Sequence, residues 1–261
     1  SDDPNAPDLA PETYAARVAS SCREFLDVIE RALRSDADAD DDADADDDAR
    51  GIAGGGVYVG IAGIGMMYYK LALVQRAMQG DARGNDPKRA VFGRTTGAML
   101  RAALTHCERG RKRFEVEEEA RRRRHPRTTF LEGVAGCHAL EAAVLTELGA
   151  DDAARDRVRR LVALEPAAAS APRDECELLY GRAGYLHALL FARTRVHPSI
   201  AAETLPGKAF HRIVRHIVEE GELRAELGTE PASCAAAAAF ESGAFYTLVP
   251  NDPVGVLSAD P

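Results

Sequence analysis

The sequence lacks the features that mark several large classes of protein. It contains no run of about 18 apolar residues, so it predicts no transmembrane helix. The first apolar stretch follows four acidic residues, which is not the pattern of a secretory signal peptide. Its five cysteines are scattered and form no Cys-x-x-Cys pair, which argues against a disulfide framework and predicts free thiols in a reducing compartment. We therefore expect a cytoplasmic protein and leave association with a membrane surface open.

Two common nucleotide-binding motifs are also missing. Gly60, Gly63 and Gly65 stand in the wrong order for the dinucleotide fingerprint Gly-x-Gly-x-x-Gly, and no Gly-x-x-x-x-Gly-Lys-Ser/Thr string occurs. The formal net charge of −9 gives no argument for or against a nucleic acid, because nine aspartates between Asp36 and Asp48 account for all of it. We therefore name no nucleic acid as a partner.

One short pattern, Gly-x-Ala-Gly after an apolar lead-in, occurs three times. The copies are Tyr58-Val-Gly-Ile-Ala-Gly63, Leu131-Glu-Gly-Val-Ala-Gly136 and Leu179-Tyr-Gly-Arg-Ala-Gly184. Each copy opens a mostly apolar stretch of helical length, and no convincing β pattern appears. A single hairpin of this kind cannot bury its own apolar face, so neighbouring copies must stack. The sequence therefore predicts an all-α fold with uncharged helices inside and amphipathic helices covering them.

The sequence divides into a polar first segment, a predicted helical body and a last segment that lacks the repeat. Residues 1–11 are polar and proline-rich, and we predict that they are disordered. The body is predicted over 12–222 and contains an acidic linker at 35–50, whose repelling like charges disfavour an ordered structure. Residues 223–261 show neither the repeat nor a clear periodicity, and we predict a low-complexity tail.

Seven helices are expected in the body. The first is an amphipathic surface helix from Tyr14 to Leu33, with apolar residues at helical spacing. The remaining helices are predicted to span about 64–78, 88–106, 128–148, 151–164, 175–195 and 207–220. Gly149 stands where a helix C-cap belongs, and residues 107–127 are predicted to form a charged connector, either a solvated loop or an exposed helix.

The repeat glycines have two physical interpretations. Two glycines three residues apart at a helix start let backbones approach closely where inner helices crowd together. They also leave N–H groups of the helix N-terminus uncovered, which would favour a carboxylate or phosphate where several such ends converge. Close packing is the simpler interpretation. The six glycines taken as structural are Gly60, Gly63, Gly133, Gly136, Gly181 and Gly184.

The cysteines and histidines form no convincing zinc site. Cys137-His138 and His106-Cys107 are adjacent pairs, and adjacent residues of a helix point in different directions. His187 lies on an apolar helix and is interpreted as a core histidine with one hydrogen bond. Two further histidines, His211 and His216, are five residues apart and lie on different faces. No set has the spacing of a zinc site, so we predict no metal ligands in this chain.

The third repeat carries a resemblance to a known family. The string from Glu177 to Ala192, with Leu-Leu-Tyr-Gly-Arg-Ala-Gly-Tyr at its centre, resembles a repeat of eukaryotic lanthionine synthetase C-like (LanC-like) proteins. The segments 58–63 and 129–136 are similar to earlier repeats, and the likeness covers about residues 12–220. It implies an α/α toroid, an inner ring of helices within an outer ring, of which this chain forms an incomplete part.

The resemblance also implies a chemistry. In this family a zinc ion activates a thiol, which adds to a dehydroamino acid in a peptide or protein. The thiol is a peptide cysteine in bacterial members and glutathione in eukaryotic ones. The expected partners are therefore glutathione and polypeptides that contain dehydroamino acids.

The chain departs from the family pattern in one respect. It contains neither a Cys-His-Gly string, which carries zinc ligands in the family, nor the Ala-His-Gly-x-x-Gly string of the catalytic histidine. We therefore expect no cofactor in this chain and leave open whether it is an enzyme. The alternatives are a non-catalytic helical scaffold that binds glutathione or a partner, or a truncated gene product that lacks the zinc-binding half.

Two residues of the third repeat are candidates for a site. Glu177 lies four residues before Gly181, where bacterial relatives place an acidic residue thought to assist proton transfer, so the resemblance implies a catalytic role. Arg182 lies between the two glycines and is a candidate for binding an anionic ligand. The alternatives are a carboxylate at a helix start or loop for Glu177, and a surface or packing arginine for Arg182.

Overall fold

A computed structural model describes residues 11–39, 54–79, 90–121, 127–172 and 175–226. These residues form helices and connecting turns, with no strand among them, which confirms the predicted all-α class. The helices within the described ranges are α1 (Pro11–Ala39), α2 (Ile61–Gln79), α3 (Thr96–Arg121), α4 (Val134–Glu147), α5 (Asp151–Ala163), α6 (Glu165–Ala169), α7 (Arg182–Arg195), α8 (Pro198–Thr204) and α9 (Gly207–Glu226).

The three repeats place their helices side by side. Each Gly-x-Ala-Gly motif opens one of the helices α2, α4 and α7, and α4 packs against both of the others. Helix α3 packs on α2 and α4, while α5 packs on α4 and α7, and α9 lies against α7. This layout, an inner row of repeat helices with a covering row outside, is the partial α/α toroid that the sequence predicted.

Helix α4 joins the two larger hydrophobic clusters of the molecule. One cluster fills the space between α4, α5, α7 and α9, and includes Leu145, Tyr185 and Ile213. The other lies between α2, α3 and α4, where Tyr68 and Leu140 are fully buried. Because α4 has neighbours on all sides, it needs apolar or small side chains around its whole circumference rather than along one stripe.

The ends of several helices differ from the prediction. Helix α1 continues to Ala39, so its last five residues overlap the segment predicted as a linker at 35–50. Helix α3 extends to Arg121 through most of the predicted connector, because Phe114 is buried there and Arg111 pairs with Glu115 at 2.6 Å along the helix. The predicted C-cap at Gly149 is confirmed by its left-handed φ of 73°.

Other predictions lie partly outside the described ranges. These include the disorder predicted for 1–11, the rest of the acidic linker, and the tail at 223–261, of which the structure describes only 223–226 as the end of α9. Helix α8, with Pro198 in its first turn, was not predicted from the sequence. None of the helices in the described part of the chain is both long and apolar enough to span a bilayer.

Candidate functional site at the loop end of the repeats

The segment before each repeat helix folds back onto the first turn of that helix in the same way three times. The first helical N–H donates to the carbonyl seven residues earlier: Ile61 to Gly54 at 3.0 Å, Val134 to Arg127 at 3.1 Å and Arg182 to Glu175 at 3.0 Å. A second N–H of the turn does likewise: Gly63 to Gly56 at 3.3 Å, Gly136 to Thr129 at 3.2 Å and Ala183 to Cys176 at 3.3 Å.

These bonds change the interpretation of the helix N-termini. The N–H groups expected to be uncovered, and so to attract a carboxylate or phosphate, already donate to carbonyls of their own loops. The prediction of converging anion-binding helix ends is therefore wrong for these groups, and the motif supplies backbone caps instead.

The repeat glycines are required by space and not by unusual dihedral angles. Gly133 has φ −144° and Gly181 has φ −103°, values that any residue adopts. A Cβ on either glycine, however, would lie 2.6 Å from the carbonyl oxygen of Arg127 or Glu175, respectively. The close backbone approach expected for these glycines is therefore present, but most of it comes from the helix's own preceding loop rather than from a neighbouring inner helix.

The three loops are also bonded to one another. The Leu131 carbonyl accepts from the backbone N–H of Val57 at 2.8 Å and of Tyr58 at 3.1 Å. The equivalent carbonyl of the third repeat, that of Leu179, accepts from the Thr129 hydroxyl at 2.6 Å. The segments 54–60, 127–133 and 175–181 thus form one continuous surface, called the loop end below.

Glu177 lies in the loop end as the cap of its own turn. Its two carboxylate oxygens accept from the backbone N–H groups of Leu179 and Tyr180, both at 2.5 Å. Thr129 holds the equivalent position of the second repeat, and its hydroxyl accepts from the Glu132 N–H at 3.2 Å. The geometry therefore supplies a local structural function for the Glu177 carboxylate, and its catalytic role stays a prediction.

Arg182 is buried and faces a neighbouring loop. Its Nη1 donates to the Pro172 carbonyl at 2.9 Å, and its Nη2 donates to those of Ala169 and Ala171 at 3.1 and 2.5 Å. The guanidinium therefore fixes the segment that follows α6. Binding of an anionic ligand by Arg182 stays a prediction, and such a ligand would compete with these carbonyls.

A cavity of about 360 Å³ adjoins Arg182. It lies between the segment after α6 and helix α9, and His216, Glu219 and Glu220 line its other wall. Glu220 is already paired with Arg224 at 3.0 Å. The cavity thus combines one guanidinium engaged by carbonyls with two carboxylates, a lining that does not favour an anion.

A buried charge cluster between the helix layers was missed by the sequence analysis. The Glu141 carboxylate of α4 is fully buried, with Arg111 Nε at 3.0 Å and Arg157 Nε at 2.7 Å. Burial raises the pKa of Glu141, although both arginines lower it. The signal for this cluster was a charged residue inside an otherwise uncharged stretch of helix, since such a group needs partners from neighbouring elements.

His138 lies one turn before Glu141 on the same helix. Burial, with added repulsion from Arg111 and Arg157, lowers its pKa to about 4, so the ring is neutral at pH 7. Its Nδ1 is buried and has no hydrogen-bond partner among the described residues.

The buried thiols of α3 and α4 are unreactive. Cys107 and Cys137 are fully buried, and burial raises the pKa of both far above that of a free thiol.

The interpretation of His187 as a core histidine is wrong. Its side chain is exposed on α7, and its ring packs edge-on against Phe130 with centroids 4.8 Å apart.

The zinc implied by the family resemblance does not fit the described residues. No group of three or more histidine, cysteine, aspartate or glutamate side chains is arranged there to hold a metal ion. At His138, the charges of Arg111 and Arg157 that lower the pKa of the ring would also repel a cation. We therefore assign no zinc-dependent step to these repeats.

Comparison with known proteins agrees with the architecture. The family model described as "Lanthionine synthetase C-like protein" matches residues 51–234, which is most of the chain. Among curated proteins, "Glutathione S-transferase LANCL1" of Danio rerio is 27% identical over 211 residues. The match takes in 80% of this chain and 41% of that relative, so the chain spans less than half the length of the relative. With three stacked repeats of the same kind, the chain belongs to the lanthionine synthetase C-like family.

Proposed function

We propose that this chain takes part in the addition of glutathione to dehydroamino acids in peptides or proteins. The observation that carries the proposal is its family membership, together with a relative that is named as a glutathione S-transferase. In such an addition the thiolate sulfur bonds to the β-carbon of the alkene, and a proton then adds to the α-carbon. The reaction needs no oxidant or reductant, and it suits the cytoplasm, where thiols stay reduced.

Apart from the proposed catalytic role of Glu177, the described repeats contribute a framework rather than reacting groups. The carboxylate of Glu177 and the guanidinium of Arg182 bond to backbone groups of the loops, and the buried thiols are protonated at neutral pH. We propose that the repeats fix the loop end on which the polypeptide substrate lies.

Exposed apolar side chains on the loop end support a polypeptide as the substrate. Tyr58 and Val59 of the first loop are 66% and 63% exposed, and Leu178 and Tyr180 of the third loop are 44% and 53% exposed. The Arg127 guanidinium stacks over the Tyr180 ring, 5.7 Å from its centroid. Large apolar groups gathered on one surface are typical of a site that binds a peptide or protein.

The direct test is to incubate the purified chain with glutathione and a dehydroalanine peptide and to follow the thioether product by mass spectrometry. The proposal predicts faster formation of the product than glutathione gives alone, and a rate no higher than that background would contradict it. Zinc content per chain is measured on the same sample.

The variant Glu177→Gln tests the proposed catalytic role of Glu177. Glutamine keeps one oxygen that can accept from the turn but replaces the other with an NH2 donor, so a modest fall in melting temperature is expected in any case, and a catalytic carboxylate predicts in addition a lower rate per folded molecule. The matched control, Thr129→Val, removes the equivalent cap of the second repeat and is expected to lower stability without lowering the rate per folded molecule. If the two variants behave alike, Glu177 is only a turn cap.

A further inference from the structure

Helix α1 has apolar residues on two faces, and only one of them packs on the body. Ala19 and Leu26 are buried, with Leu26 in the cluster formed by α2, α3 and α4. On the opposite side lies a second line of large apolar side chains, which we call the outer stripe. Its members are Tyr14, 63% exposed, Val18, 43%, Phe25, 58%, and Val28, 50%.

The spacing of the outer stripe is that of a coiled-coil seam. Its residues follow one another at intervals of four, seven and three, which places them on one side of an α-helix. The sequence predicted an amphipathic surface helix with its apolar residues at helical spacing. The structure separates them, because the turn that buries Leu26 directs Phe25 to the solvent.

The outer stripe has a fixed orientation relative to the body. The Glu30 carboxylate of α1 accepts from the Tyr68 hydroxyl at 2.6 Å and pairs with Arg94 at 2.6 Å. At a second point, Arg23 Nη1 donates to the Val91 carbonyl at 2.8 Å. These contacts hold α1 so that rolling the outer stripe inward would break them.

Charged residues flank the outer stripe in an order that suits pairing with itself. Arg17, Glu24 and Arg31 are seven residues apart along one border of the stripe, and all three are exposed. Consider two α1 helices that lie antiparallel about a two-fold axis, with Tyr14 opposite Phe25 of the second copy. Arg17 then lies beside Glu24 of the second copy, and the symmetry makes this pair twice.

We propose that α1 is a self-association surface, through which two copies of this chain pair as antiparallel helices along the outer stripe. The proposal goes beyond the proposed function and does not depend on it. An interface confined to one helix lies at the small end of stable interfaces, below about 1,200 Å² in total. The dimer is therefore weak, and its population depends on the protein concentration.

The first test measures the mass of the full chain by light scattering or sedimentation over a wide range of concentration. The expected result is a reversible monomer–dimer equilibrium, which Phe25→Glu weakens by about tenfold or more by burying a charge within the seam, against Tyr14 of the second copy. The matched control is Val218→Glu on α9, a valine that is 50% exposed, like Val28 of the stripe. This control should leave the equilibrium unchanged.

The second test uses the charges. Arg17→Glu and Glu24→Arg are each expected to weaken the dimer by about threefold to tenfold at low salt, and the double variant should restore it. Failure of the double variant to recover would overturn the antiparallel arrangement. A chain that is monomeric at every concentration would overturn the proposal as a whole. If the chain is monomeric and Phe25→Glu also lowers its melting temperature, another segment of the same chain covers the outer stripe.

Discussion

Helices α4 and α7 begin with the same motif and have the same length, 14 residues, yet they occupy different environments. Every residue from Glu132 to Leu145 is buried, so α4 is enclosed on all sides. Helix α7 instead exposes His187 and Leu190 along one face. The motif therefore specifies how a helix starts, whereas its neighbours in the array decide how much of it is buried.

The two helices also satisfy their polar groups differently. Helix α4 contains the buried carboxylate of Glu141, which is tolerated because α3 and α5 each supply an arginine. On α7 the buried polar side chains are Tyr185, whose hydroxyl donates to the Leu161 carbonyl at 3.0 Å, and Arg182, whose guanidinium donates to carbonyls of the segment after α6. Helix α4 thus depends on ion pairs with two neighbouring helices, whereas α7 depends on hydrogen bonds to backbone carbonyls.

The largest expected effect is that of Gly136→Ala in α4. The new Cβ would overlap the carbonyl oxygen of Phe130, and the enclosed position leaves no direction in which the helix can move away. We expect a loss of more than about 4 kcal/mol, enough to prevent stable folding. Circular dichroism and the yield of soluble protein measure the outcome.

Two other glycines sharpen this comparison. Gly184→Ala creates the equivalent overlap with the Leu178 carbonyl and also meets the Thr129 side chain, but α7 has an exposed face towards which it can shift, so we expect a smaller loss of roughly 2–3 kcal/mol. Gly207→Ala is the control, because a Cβ there meets nothing within 4 Å. Equal losses at Gly136 and Gly184 would show that enclosure does not matter.

The second effect concerns the buried charge of α4. Glu141→Gln removes the buried counter-charge shared by Arg111 and Arg157, although Arg111 keeps its pair with Glu115, and we expect a loss of about 2–4 kcal/mol in the free energy of unfolding. The control is Glu203→Gln, a half-exposed carboxylate that also pairs with two arginines, Arg155 at 3.0 Å and Arg159 at 2.7 Å. Solvent screens the ion pairs of Glu203, so Glu203→Gln should lower the free energy of unfolding, measured in urea, by less than about 1 kcal/mol.

The contrast between the helices also shows how much of the fold the sequence could predict. The C-cap at Gly149 and the opening of a helix at each repeat motif were predictable because they depend on local backbone geometry. The predicted spans nevertheless began too early, at about 88, 128 and 175, whereas α3, α4 and α7 begin at Thr96, Val134 and Arg182. The partners of Glu141 and Arg182 were not, because the residues they contact come from other elements or from loop carbonyls. The extension of α3 depends likewise on burial of Phe114 against other helices, which a charged sequence does not reveal.

The third effect is a pH dependence carried by His138 on α4. Its pKa is about 4 in the folded chain and near 6.5 when unfolded, so between these values the unfolded state binds the additional proton. Stability is therefore lost as the pH falls from about 6.5 towards 4, by at most about 1.4 kcal/mol per pH unit. Unfolding of the wild type and of His138→Gln at several pH values measures this slope as their difference.

A histidine of the edge helix gives the comparison for this effect. Burial lowers the pKa of His187 as well, but its side chain is more exposed than that of His138, so its slope should be smaller. The raised pKa of Glu141 has the opposite effect, because it stabilises the folded chain as the pH falls. Glu141 is present in both the wild type and His138→Gln, so its contribution cancels when their slopes are subtracted. Equal slopes for His138→Gln and the wild type would contradict the assignment.

The smallest expected effect tests the edge helix itself, through Tyr185→Phe on α7. The change removes the hydroxyl but keeps the ring in the core, so the Leu161 carbonyl loses this donor while the packing is preserved. We expect a loss of about 1 kcal/mol in urea unfolding, the usual net value of one buried hydrogen bond. Tyr180→Phe, on a tyrosine that is 53% exposed, is the control and should change little. A loss as large as that of Glu141→Gln would mean that α7 depends on its polar contacts as strongly as α4 does, and the contrast between an enclosed and an edge helix would no longer hold.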